Sequence, residues 1–196
     1  MTAFLDLYWL PVGAGTSRFQ QTSLRFWEAL EAARARRPRL RLVHAALKLA
    51  GADGQPFTLE LMPAFVRDDV PPLLTGPVGL PGADRLRLFR YQLLCVSADR
   101  LPDEEFALAP PARLTSDPER VARVLAFARE VPRYTWGRRV RGTSEMWTSD
   151  SVVSWLLCRA GFDVSSIGPP AGSRAPGWQA GIGLAAARQR ARGAGA

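Results

Sequence analysis

The chain has 196 residues, 47% of them hydrophobic, and a formal net charge of +8. That is enough apolar material for one substantial core, so one domain over residues 1–187 is expected, with 188–196 as a flexible basic tail. Asp6 and Pro11 interrupt the start of the chain and argue against a secretory leader there, and no apolar run approaches the roughly 20 residues of a membrane span. The expectation is a soluble, cytoplasmic protein with no membrane partner. Lys48 is the only lysine among 26 cationic residues. The arginines gather at Arg34, Arg36, Arg37, Arg39 and Arg41 and again at Arg138, Arg139 and Arg141, without the interleaved aromatics that stack bases. Nucleic acid is therefore not an expected partner.

In chain order, residues 4–10 read as an apolar strand, 12–17 as a glycine-bearing turn and 19–36 as a helix with Phe26, Trp27, Leu30 and Ala33 on one side. Pro38 ends that helix. Residues 40–49 and 57–62 read as two strands joined through Asp53-Gly54, a strong hairpin signal. Residues 64–83 hold four prolines and three glycines without periodicity and read as a loop or flap. A long strand is expected over 86–96. Asp117 caps a helix with Pro118 at its first position, and Val121, Val124, Leu125 and Ala128 form its core stripe. A basic loop over 133–142 leads to a helix that starts near Thr148 or Ser149 and stops at Gly161. Residues 178–187 read as a last strand or buried segment. The order does not alternate strictly, so the predicted class is α+β, a mixed or antiparallel sheet packed against helices.

Ser149 opens the helix that carries Val152 to Leu157, where free backbone N–H groups and the positive dipole end favour a negatively charged oxygen. The chain has a single histidine, His44, in the early hairpin. Any Ser/His chemistry must use this pair. The plainer alternative is that Ser149 or Thr148 is simply the helix cap. An imidazole among Leu40, Leu42 and Ala46 also needs a polar partner, which a backbone carbonyl can supply as well as a catalytic group.

A third member, Glu60, depends on register. A two-residue loop at Asp53-Gly54 sets His44 opposite Pro63 and turns Glu60 to the other face, whereas three loop residues bring Glu60 to the histidine side. Thr58 stands in the same relation. Trp147, beside Ser149, is a candidate groove wall. Asp150 and Arg174 are candidate substrate contacts, with Arg138 an alternative to Arg174. Cys95 and Cys158 stand in no metal or redox spacing and read as buried apolar residues. One histidine and two separated cysteines make no metal site, and no cofactor is expected. Gly13-Ala14-Gly15-Thr16-Ser17 lacks the lysine of a phosphate-binding loop.

The order of Val43-His44-Ala45-Ala46-Leu47, then Phe57-Thr58-Leu59-Glu60-Leu61, then Thr148-Ser149-Asp150-Ser151-Val152 at a helix start resembles the circularly permuted papain-like group. That group includes the permuted NlpC/P60 peptidases and the PPPDE peptidases. The segments Met146 to Leu157 and Ala175 to Gly181 also resemble those of a set of uncharacterised bacterial proteins. The resemblance implies a papain-like fold in which Ser149 stands where the peptidases carry their cysteine, with His44 as its base. The function then expected is a hydrolase or acyltransferase acting on a peptide, amide or ester bond. The alternative is a catalytically inactive papain-like binding or scaffold domain that has lost the thiol. A basic adaptor for acidic partners is a third reading.

Overall fold

In a computed structural model, which describes residues 2–12, 32–33, 36–65, 69–98, 101 and 103–193, the strands form one sheet in the order β4-β5-β3-β2-β1-β6. They are β1 (Phe4–Pro11), β2 (Arg41–Ala50), β3 (Pro56–Pro63), β4 (Leu74–Pro77), β5 (Arg90–Ser97) and β6 (Ala112–Thr115). Every neighbouring pair on this path is antiparallel. The two-residue strand β7 (Ser173–Arg174) lies parallel to β2. The helices are α1 (Pro118–Ala128), α2 (Ser149–Arg159) and α3 (Trp178–Gly193). The class is α+β.

Alternation along the strands sorts the side chains into two layers. Leu5, Leu7 and Trp9 of β1, Val43, Ala45, Leu47 and Leu49 of β2, and Leu59 of β3 join the main core with Val121 and Val124 of α1 and Trp155 to Leu157 of α2. Tyr8, Leu10 and Ala46 face the other way and pack with Leu101 and Ala107. By the same alternation His44 belongs to this second face.

The hairpin predicted over β2 and β3 is present. Its pairing runs from Ala50↔Pro56 to Leu47↔Leu59, which is the parity that puts Glu60 on the histidine side. Asp117 caps α1 as the sequence predicts, its carboxylate accepting from the Glu119 N–H at 2.8 Å. Gly161 follows α2 with φ of 83°, a conformation that favours glycine.

Three expectations are corrected. Residues 178–187 form part of a helix and not a strand, and that helix takes in residues 188–193, which the sequence reading gave to the tail. The loop expected over 64–83 contains β4. The long strand expected from residue 86 begins only at Arg90, because 83–85 and 87–89 close two 3-10 turns first. The helix expected over 19–36 and the turn over 12–17 lie for the most part outside the described residues.

A seam of small polar residues fixes α2 against α3. Ser151 Oγ donates to the Gly177 carbonyl at 2.8 Å, Ser154 Oγ to the Trp178 carbonyl at 2.7 Å and Thr148 Oγ1 to the Pro176 carbonyl at 2.6 Å. Gly181 is glycine because a Cβ there would collide with the Ser151 carbonyl, the Ser154 hydroxyl and the backbone nitrogen of Trp155. Two of these obstacles are backbone and cannot swing aside. Gly181→Ala is therefore expected to destabilise the protein by about 3 kcal/mol in urea unfolding, the upper part of the overpacking range. A change within a few tenths of a kcal/mol would contradict this packing.

Candidate functional site

β2 changes partner along the edge that faces β3. From Ala50 to Leu47 it pairs with β3. β3 runs on to Pro63 alongside β5 alone. At Ala45, where continued register would place Leu61, the N–H instead donates to the Asp150 carboxylate at 2.6 Å. At Arg41 and Leu42 the partner is β7. The sheet thus forks between β2 and β3, and the first turn of α2 enters the fork.

The cap of α2 is Thr148, an extended residue whose N–H donates to Ser151 Oγ at 3.0 Å. Ser149 is the first residue within the helix, so the capping role falls to its neighbour. Ser149 is half-buried and lines a partly open cavity of about 80 Å³ together with His44, Glu60, Leu10, Leu101 and Asp103. This cavity draws on residues from both faces of the sheet. A serine on the helical side and a histidine on the other reach it because the two strands have separated.

Burial pushes the His44 imidazole below its ordinary value of 6.5, and the Asp103 carboxylate opposes that shift in part. The ring is therefore neutral at neutral pH and able to accept a proton. Glu60 accepts from Thr58 Oγ1 at 2.8 Å. Among the described residues no hydrogen bond joins Ser149 to His44.

Asp103 was not among the residues singled out from the sequence. It occupies a left-handed conformation, φ 60°, ahead of the 3-10 turn Glu104–Phe106. The turn is pinned to the second face through Glu104, whose carboxylate accepts from Tyr8 Oη at 2.8 Å and the Leu101 N–H at 3.0 Å and lies 3.7 Å from Lys48 Nζ. No local pattern announces it, because its meeting with His44 spans most of the front half of the chain.

The remaining candidates lie apart from this cavity. Asp150 is buried and faces the Ala45 N–H, so its carboxyl is a structural tie. Trp147 is fully buried, with its ring centroid 5.3 Å from that of Tyr134, and offers no wall to a ligand. Arg174 lines a separate cavity of about 180 Å³ with Arg139 and Glu145, and its guanidinium lies 3.8 Å from Glu145. Glu145 in turn accepts from the Gly177 and Gln179 N–H groups at 3.0 Å each, at the start of α3. Burial pushes the Cys158 thiol up to about 11 and raises that of Cys95 too, which makes both poor nucleophiles. Among the described residues no group of three or more metal-type ligands occurs.

Desolvation raises the Asp150 carboxyl well above its ordinary 3.8, against the pull of the Ala45 N–H. The folded state then binds more protons than the unfolded chain between 3.8 and the folded value. The stability tied to that proton is complete below 3.8 and is lost as pH rises through the folded value. Urea unfolding across this window is expected to show wild type losing ground to Asp150→Asn as pH rises. Asp150→Ala, which strands the Ala45 N–H, is expected to be about 1–3 kcal/mol less stable than Asp150→Asn at every pH. A difference between wild type and Asp150→Asn that does not vary with pH would contradict the assignment.

The single histidine gives one set of imidazole resonances to titrate by NMR. Its midpoint is expected below 6.5 and lower still in Asp103→Asn, whereas Glu60→Gln moves it less. A larger effect from Glu60→Gln would reassign the carboxylate that senses the ring.

Protein-family models, curated proteins and solved structures contain no match to this chain.

Proposed function

We propose that the protein is a hydrolase or acyltransferase of amide, peptide or ester bonds, built on a permuted papain-like plan with Ser149 as nucleophile and His44 as base. The observation that carries this reading is the common cavity. Ser149, His44 and Glu60, the residue types of a nucleophile, a base and its partner, line one small space with Asp103. The neutral imidazole supports the same reading, because a base must be unprotonated when the hydroxyl attacks.

In this mechanism His44 takes the Ser149 proton as Oγ bonds to the substrate carbonyl carbon. The carbonyl oxygen takes the negative charge and receives N–H donors from the first turn of α2. Collapse breaks the bond to the leaving group, which accepts the proton from His44. The acyl group on Ser149 then passes to water or to another acceptor by the same steps in reverse. Asp103 steadies the transient imidazolium, and Glu60, tied to Thr58, shapes the far wall.

A second reading is a non-catalytic papain-like binding domain. It draws on the missing hydrogen bond between Ser149 and His44 among the described residues, and on a hydroxyl standing where the resembling peptidases hold a thiol. Fluorophosphonate labelling separates the readings. The catalytic one predicts covalent labelling of Ser149, abolished in Ser149→Ala and reduced at least about a hundredfold in His44→Ala, the scale of a general base's contribution. Equal labelling of Ser149→Ala would overturn it. Thiol-dependent hydrolysis gained by Ser149→Cys, where wild type has none, would favour the binding domain.

A further inference from the structure

Seven large hydrophobic side chains are exposed among the described residues, and six of them gather around one edge of the sheet, Phe106 being the exception. Leu80, Leu86, Leu88 and Phe89 lie on the connection between β4 and β5, at 60%, 63%, 64% and 44% exposure. Phe65 is brought beside them, since the Ala64 N–H donates to the Arg90 carbonyl and Arg87 Nε to the Ala64 carbonyl. Tyr134 joins from the 133–142 loop, which is fastened there by the Gly79 N–H on the Trp136 carbonyl.

The connection is also basic. Arg85 and Arg87 alternate with the leucines, and Arg133, Arg138 and Arg139 flank them, all exposed. Its one acidic residue, Asp84, is paired with Arg133. Arg138 and Arg139 line a shallow open cavity of about 300 Å³ with Pro81 and Tyr134. Exposed apolar side chains ringed by arginines call for an apolar, negatively charged partner.

The backbone decides which kind. The Leu80, Ala83, Leu86 and Phe89 N–H groups all donate to carbonyls within the segment, the Val78 N–H donates across to Phe89, and residue 81 is proline. The two 3-10 turns, Ala83–Arg85 and Arg87–Phe89, leave no extended edge here for a protein strand to join. Leucines for the acyl boundary beside arginines for the headgroups match this composition.

We propose that the connection between β4 and β5 docks the protein on an anionic lipid surface, with Leu80, Leu86, Leu88 and Phe89 in the acyl boundary and the flanking arginines on headgroup phosphates. This is peripheral attachment, separate from the cavity at Ser149. It also departs from the sequence expectation of no membrane partner, which rested on the lack of a spanning segment.

Co-sedimentation of the full chain with vesicles provides the test. The protein is expected to pellet with phosphatidylcholine vesicles containing one-third phosphatidylserine, and about tenfold less with phosphatidylcholine alone. Leu86→Ser/Leu88→Ser and, separately, Arg138→Ala/Arg139→Ala are expected to reduce binding about tenfold. Phe106→Ser, which removes an exposed aromatic elsewhere, should leave it unchanged. Circular dichroism identical to wild type excludes misfolding as the cause. No binding by wild type, or equal binding by the leucine variant, would overturn the proposal, including in favour of an acidic protein partner.

Discussion

The contact on which the rest of this structure depends is the hydrogen bond from the Ala45 N–H to the Asp150 carboxylate. It stands where continued register would pair Ala45 with Leu61, and it lets β2 exchange β3 for a helix terminus without leaving this donor unpaired. Burying a carboxyl for this purpose is costly. The protein tolerates it by shifting Asp150 toward its protonated form. In return the first turn of α2 is held inside the sheet, where its neighbour Ser149 shares a cavity with His44 from the opposite face.

The α2–α3 seam holds the same terminus from behind. The seam is made by residues 146–157 and 175–181, which the structure joins to each other. Ser151, Ser154, Gly177 and Gly181 let the helices approach closely enough for hydroxyls to reach carbonyls of the partner. Their spacing thus reflects packing. Ser149 alone of the serines in this stretch is turned to the cavity, which separates a residue available for chemistry from residues used for assembly.

Much of the frame was legible from residues in short windows. The apolar run of β1, the two strands joined through Asp53-Gly54 and the Asp117-Pro118 helix start are local signals, and the structure contains all of them. The parity that places Glu60 beside His44 was reduced from sequence to two alternatives, and the pairing Leu47↔Leu59 selects one. Helix α3 was misread because Gly181 and Gly183 depress helix propensity and its apolar run resembles a buried strand. Those glycines answer to a neighbour distant in sequence. Asp103, the clamp at Glu104 and the role of Asp150 were not legible, since each depends on contacts spanning long stretches of chain. Trp147 looked like a groove wall by adjacency to Ser149, yet a helix start sends successive side chains in different directions, and Trp147 points into the core.

The arginines divide along similar lines. Arg113 is bonded to Asp6 across β1 and β6, and Arg159 is buried over the rings of Phe127 and Trp155. Such residues serve the fold, whereas those flanking the β4–β5 connection remain at the surface.

Proton–proton NOEs from the His44 ring report, without requiring activity, whether the forked sheet lets the lone imidazole reach the hydroxyl at the start of α2. Cross-peaks to the Ser149 Hβ protons are expected alongside those to Leu10 and Leu101. A ring that shows only the latter pair would place the histidine wholly on the far face and contradict the account.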